Sequence, residues 1–394
     1  MRIVNGQMRI PRAAAMIFFL AMQTLAFAQQ NSNPSAQTQT PAPQDPVLVP
    51  RPAPKAEARR TRMPEGAIKL DVVVDDAAGK PAGGLNPLDL QLMDNGQPRK
   101  ILSFRAFGGD AAKPDSPVQV VLVIDTVNLP FDQVAFTKQE ITRFLRQNGG
   151  HLSQPVSIAL LTDAGLRVQP RPSTDGNALV GIVDRIKGSI RSINAAMGGE
   201  GLLERFQLSV HQMANIAENE AMKPGRKLLI WVGPGWPMLN RTELGYYSAK
   251  DRQRYFDGIV ELSTKLREAR MAVYSVASSS VGAGGSDSTF VFAYKDYLKP
   301  VKSPQQGDSG NLALKVIAVQ SGGRILGPDN DLAGEIGNCI QDANDFYRIS
   351  FDPPHADHAN EYHDLKVVVG KPGVTVRTNT GYYNQPQAET VPAR

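Results

Sequence analysis

Val120-Val121-Leu122-Val123-Ile124-Asp125 is five aliphatic residues closed by an acid. A strand exposed on one face alternates apolar and polar residues; an unbroken apolar run is the mark of a strand covered on both faces, as in a parallel sheet. Similar runs recur at 156–161, 228–232 and 271–276. Helical spacing of apolar residues falls between them, at 134–145, 175–187, 202–222 and in a long stretch ending at 269. A short edge strand is expected at 166–169 and another short strand at 323–326, with helices ending near 321 and covering 332–345. Residues 278–311 read as a long loop. Apolar strands alternating with helices give a Rossmann-like α/β domain with a parallel sheet, placed at 113–346.

The flanks have a different rhythm. Ile68, Leu70, Val72 and Val74 alternate with Lys69, Asp71 and Asp75, the pattern of a half-buried strand. Leu88, Leu90 and Leu92 alternate again, Asp94-Asn95-Gly96 signals a tight hairpin, and 100–107 is a further strand. Tyr347, Ile349 and Phe351, then Leu365, Val367 and Val369, then 374–377 repeat the strand pattern. These β segments span 67–112 and 347–384, with a tail at 385–394. One arrangement joins them in a single β-sandwich-like unit with the α/β domain inserted; two separate small units is the other.

The chain begins as an export signal does. Arg2, Arg9 and Arg12 precede an apolar run at 13–22, and Ala26-Phe27-Ala28 supplies small residues for cleavage before Gln29. The run is shorter than the roughly 20 residues of a spanning helix. The expectation is an exported protein, periplasmic or secreted, with no transmembrane segment after cleavage. Residues 29–66 are rich in Gln, Pro, Ala, Ser and Thr and read as a flexible tether. The formal net charge of +5 and pI near 9.2 belong to these regions. The signal holds three of the net charges and 29–66 two more, leaving 67–394 neutral. Nucleic acid is not an expected partner, because a binder shows a basic patch on its folded part. Cys339, the single cysteine, reads as a small buried hydrophobe.

Several pieces together resemble a bacterial family, the von Willebrand factor A-related proteins. They are 69–74 with Gly79-Lys80-Pro81, Leu85, 89–92 and Asp94-Asn95-Gly96; then 121–125, 226–230 and 272–276; then Gly322-Gly323-Arg324, 347–351 and Gly381-Tyr382-Tyr383. The resemblance covers about 68–384 in order. It implies an exported α/β domain with flanking β elements and no known reaction. Domains of this type often hold Mg²⁺ or another hard cation on an Asp-x-Ser-x-Ser loop, a threonine and a second aspartate. Asp125 takes the first position, but Val127 and Leu129 stand where the serines belong. Thr174 is the candidate threonine. The third loop, Gly233-Pro234-Gly235-Trp236-Pro237, has no acid. The expectation is a degraded metal site and no cofactor, with Asn128 or Asp163 as substitute ligands for Mg or Ca in the alternative reading. The same edge is the expected place for a ligand. Trp236 reads either as a partner anchor or as a cap folded onto the sheet, with Asn128 and Asp163 beside it.

Three further signals carry less. Gly307-Asp308-Ser309-Gly310 copies a serine-protease tetrapeptide, but Ser309 is expected to cap the following helix. His355, His358 and His363 invite zinc, but a solvated hairpin is expected. The glycine-rich 282–285 lacks the lysine and helix start of a phosphate loop. The functional expectation is a non-enzymatic binding or adhesion module whose partner is a protein of the cell envelope or outside the cell. The alternatives are a metal-dependent binder with rearranged ligands and a cell-envelope hydrolase.

Overall fold

The computed structural model describes residues 49–50, 66–108, 116–186, 198–236, 248–278 and 294–386. The expected export signal, the glycine-rich 282–285, Pro237 and most of the tail lie outside the described residues. The strands are β1 (Val49–Pro50), β2 (Ile68–Asp75), β3 (Leu90–Asp94), β4 (Gln97–Arg99), β5 (Ser103–Phe107), β6 (Gln119–Asp125), β7 (His151–Thr162), β8 (Gly165–Val168) and β9 (Ser173–Asp175). They continue as β10 (Lys227–Val232), β11 (Met271–Ser278), β12 (Ile325–Asp329), β13 (Phe346–Phe351), β14 (Glu361–Val369), β15 (Thr375–Arg377) and β16 (Gly381–Asn384). The α-helices are α1 (Phe131–Leu145), α2 (Gly176–Asp184), α3 (Gly198–Ala221), α4 (Ala249–Glu268), α5 (Leu314–Gln320) and α6 (Leu332–Gln341).

The central sheet runs β1-β8-β7-β6-β10-β11-β12, with β9 also paired to β7. β6, β7, β10, β11 and β12 are parallel, and β8 is antiparallel to β7. Counted from β6, the order is third, second, first, fourth, fifth, sixth, a doubly wound α/β sheet whose switch point lies between β6 and β10. The unbroken apolar run of β6 is explained by its two faces. Val120, Leu122 and Ile124 pack with Ile141 of α1, Leu179 of α2 and Ile336 and Cys339 of α6. Val121 and Val123 pack on the other side, with Phe206 and Met213 of α3, Ile259 of α4 and Ile317 of α5. Helices therefore cover both faces.

The outer segments pair with each other. One antiparallel sheet runs β15-β2-β13-β5 and the second β16-β14-β3-β4. Leu70, Val72, Ile349 and Phe351 from the first share a core with Leu92, Leu365, Val367 and Tyr382 from the second. Strands from both ends of the chain contribute to both sheets, so they make one sandwich, with the α/β domain inserted between β5 and β13. Phe107 and Phe346, at the insert's exit and return, are register partners with stacked rings 4.7 Å apart.

A charge cluster ties the sandwich to the starts of the parallel strands. Asp342, which follows α6, accepts from Arg324 at 2.9 Å, from Arg377 at 2.6 Å and from the Tyr274 hydroxyl at 2.8 Å. Arg324 and Arg377 also reach Asp75 of β2, at 3.0 and 2.9 Å. Alongside, Arg270 binds Asp71 of β2 through two nitrogens, and Arg348 adds a longer contact. The other end of the sheet, where the parallel strands finish, carries the candidate site.

Candidate functional site at the carboxyl edge of the sheet

Asp125 ends β6 beside the switch point and is fully buried. The chain turns after it because Oδ1 accepts the backbone amides of Val127 at 3.1 Å and Asn128 at 2.9 Å. Oδ2 accepts Nδ2 of Asn128 at 2.8 Å and the indole Nε1 of Trp231 at 2.8 Å. Trp231 lies on β10, also fully buried. Asn128 Nδ2 donates a further bond to Ser209 Oγ on α3 at 3.0 Å, while Asn128 Oδ1 is buried without a hydrogen-bond partner. Gly233 follows β10 with φ of 152°, and a Cβ there would stand 3.0 Å from Asp125 Cβ. Burial pushes the Asp125 carboxyl above its ordinary range, and the N–H donors of Asn128, Trp231 and Val127 pull the other way.

A hard cation needs oxygens whose lone pairs are available. Each oxygen of Asp125 already faces two N–H groups, whose hydrogens carry positive charge. Val127 and Leu129, in place of hydroxyls, are core side chains. Thr174 is on β9, which pairs with the start of β7 through Ser173 and Val156. Asp125 pairs with Leu161, five residues further along β7 and roughly 16 Å away along the strand. Thr174 is thus far from the aspartate it was expected to join. Asp163 is half-buried in the turn after β7, on the same edge as Asp125. The Asp125 oxygens, each facing two N–H donors, are not placed to ligate a divalent cation. Among the described residues, no three His, Cys, Asp or Glu side chains gather where they could hold one.

Trp236 proves to be the cap. It is 6% exposed, its Nε1 donates to the Leu312 carbonyl at 3.0 Å, and its ring meets Trp231 edge-on at 5.3 Å. A side chain placed so deep offers a partner little surface. Trp236→Phe keeps the ring but strands the Leu312 carbonyl; urea unfolding should show a loss of about 1–2 kcal/mol.

Trp231 and Ser209 were missed in the sequence. The available signal was a tryptophan inside an otherwise aliphatic strand, since a buried indole N–H calls for an acceptor. His363 also departs from expectation. It is buried on β14, with Nδ1 2.8 Å from Asp94 Oδ1, its ring stacked on Tyr382, and the Tyr382 hydroxyl bonded to Asp94 at 3.0 Å. His355 and His358 are exposed on the preceding loop, so the three histidines do not converge. Ser309 is not a helix cap: it opens a 3₁₀ turn, Ser309–Leu312, which Asp308 caps by accepting the Gly310 amide at 2.9 Å, and α5 begins after Ala313 without a side-chain cap.

No protein-family model matches the chain, and no curated protein matches it. Solved structures similar to it include a von Willebrand factor type A protein from Catenulispora acidiphila. That match has 9% identity and a TM-score of 0.30, over 83% of this chain and 76% of that one. The PilB minor pilin of Streptococcus sanguinis is similar at 10% identity and a TM-score of 0.32, over 70% and 88%. The human COPII-coat protein Sec24c is similar at 9% identity and a TM-score of 0.32, over 69% of this chain. This chain spans 44% of the length of that coat protein.

Proposed function

We propose that this chain is an exported, non-enzymatic protein-binding module of the adhesion type that works without a metal ion. The observation that carries the metal-free reading is the closure of Asp125 by four N–H donors. Binding is assigned to the carboxyl edge because loops at the switch point of a doubly wound sheet form a crevice. Export rests on the signal-like residues 1–28 and on the proline-rich tether after them. Among the described residues no helix is long and apolar enough to cross a membrane.

The test is thermal unfolding with Mg²⁺, Ca²⁺ or EDTA. A cation at a hundred times its dissociation constant adds about 2.7 kcal/mol, enough to raise Tm by several degrees. The expected result is no shift with any of the three. A rise abolished by Asp125→Ala would establish the metal-dependent alternative instead. The exposed Pro234, beside the crevice, tests the surface. Pro234→Asp should weaken capture of an envelope protein bound by the wild type while leaving Tm unchanged.

A further inference from the structure

β8 is the edge of the parallel-stranded body, and its outer backbone is met by β1, two residues from the tether. Val49 lies opposite Val168 and Pro50 opposite Arg167, antiparallel. Two independent features make this pairing specific. The first is compositional: Val47, Leu48 and Val49 are the sole Val, Leu or Ile residues in 29–66, so the pairing residue Val49 falls in the one run of strand-forming residues of the tether. Pro46 and Pro50 close that stretch on both sides.

The second is the register. The Gln169 amide donates to the Ile158 carbonyl on β7. Amides alternate in direction along a strand, so the Arg167 amide turns toward β7 and the Val168 amide turns outward, toward Val49. Pro50, opposite Arg167, therefore sits where its own missing N–H would have faced away from β8. A proline is tolerated on an edge strand at such a position and would cost a ladder bond one residue earlier.

We propose that the outer edge of β8 is an acceptor site for an extended strand closed by proline, and that the chain's own Val49 and Pro50 are its occupant. This is strand addition to a sheet edge, in which backbone hydrogen bonds supply most of the recognition. The tether is pinned at its middle, and an edge that would otherwise template pairing with other chains is covered.

Two measurements on the full chain test it. Val49→Pro removes the N–H that donates to the Val168 carbonyl and sets the proline ring against that carbonyl, parting the strands so that the Val168 amide loses the Val49 carbonyl as its acceptor. Hydrogen exchange at the Val168 amide should speed at least about tenfold, while that of Leu160 inside β7 stays unchanged. Equal exchange at Val168 in both proteins would overturn the proposal. The second measurement pairs Val49→Cys with Val168→Cys, facing residues about 5.5 Å apart at Cα and within disulfide range. Cys339 is buried and does not compete. Mild oxidation should link the pair within one chain. Linkage only between chains would assign the site to a second copy and overturn the internal occupant. Failure to link, while the neighbouring pair Ala159→Cys and Val168→Cys does link, would overturn the site itself.

Discussion

Asp125→Ala should destabilise the protein by about 3–5 kcal/mol, seen as a lower urea midpoint with an unchanged slope. The residue accepts four hydrogen bonds in full burial. Alanine leaves two backbone amides, one carboxamide N–H and an indole N–H without the acceptor they share, while the carboxamide keeps its bond to Ser209. Each orphaned group costs about 1–3 kcal/mol, partly recovered if water enters the gap. Asp125→Asn should fall between, because an amide retains one acceptor oxygen but turns an NH₂ toward donors. The two variants separate acceptor loss from charge loss. If the residue were a metal ligand as well, Mg²⁺ or Ca²⁺ would raise the wild-type midpoint and leave both variants unmoved.

The second large effect is expected at Asp342, which is almost wholly buried and joins Arg324, Arg377 and Tyr274. Removing one member of a buried charge cluster costs about 3–5 kcal/mol, because the cations left behind keep their desolvation without their partner. Arg324 and Arg377 retain some solvent contact, which places Asp342→Ala toward the lower end. Burial alone would raise the Asp342 carboxyl, but hydrogen bonding and charge from Arg377, then Arg324, then the Tyr274 hydroxyl, hold it below the ordinary carboxylate value. A depressed acid stabilises the fold above its unfolded value, about 3.9, and loses that contribution as pH falls through the folded value. The stability gap between wild type and Asp342→Asn should therefore be flat from about pH 5 to 7 and close below about pH 4. A gap that widened in acid would contradict this assignment.

Much of the fold was legible because it is written in local periods. The aliphatic runs of β6, β7, β10 and β11 and the alternation of β2, β3 and β14 are each visible within ten residues. The partners that decide the site are not local. Trp231 and Ser209 meet Asp125 and Asn128 across 106 and 81 positions. Arg377 meets Asp75 across 302, and His363 meets Asp94 across 269. No spacing rule reaches such pairs, so His363 reads as solvated while the fold buries it. Trp236 left two readings open because its loop composition suits both exposure and capping. Thr174 was misplaced for a related reason. Its tetrapeptide has suitable residue types, but pairing with the start of β7 carries it away from the carboxyl edge.

The stacked Phe107 and Phe346 have a mechanical consequence. The polypeptide enters and leaves the inserted domain at adjacent points of one antiparallel pair, and the first and last strands on either side of it, β2 and β16, both belong to the sandwich. Tension applied between Gly66 and Pro386 passes through the hydrogen-bonded strands of the sandwich first. With the handles placed after the tether, at Gly66 and Pro386, the inserted domain lies off that line of force until β5 and β13 part. A protein pulled from handles at Gly66 and Pro386 would thus extend by opening its sandwich while the carboxyl edge of the sheet and its closed aspartate kept their shape, and single-molecule stretching should show the sandwich event before that of the insert.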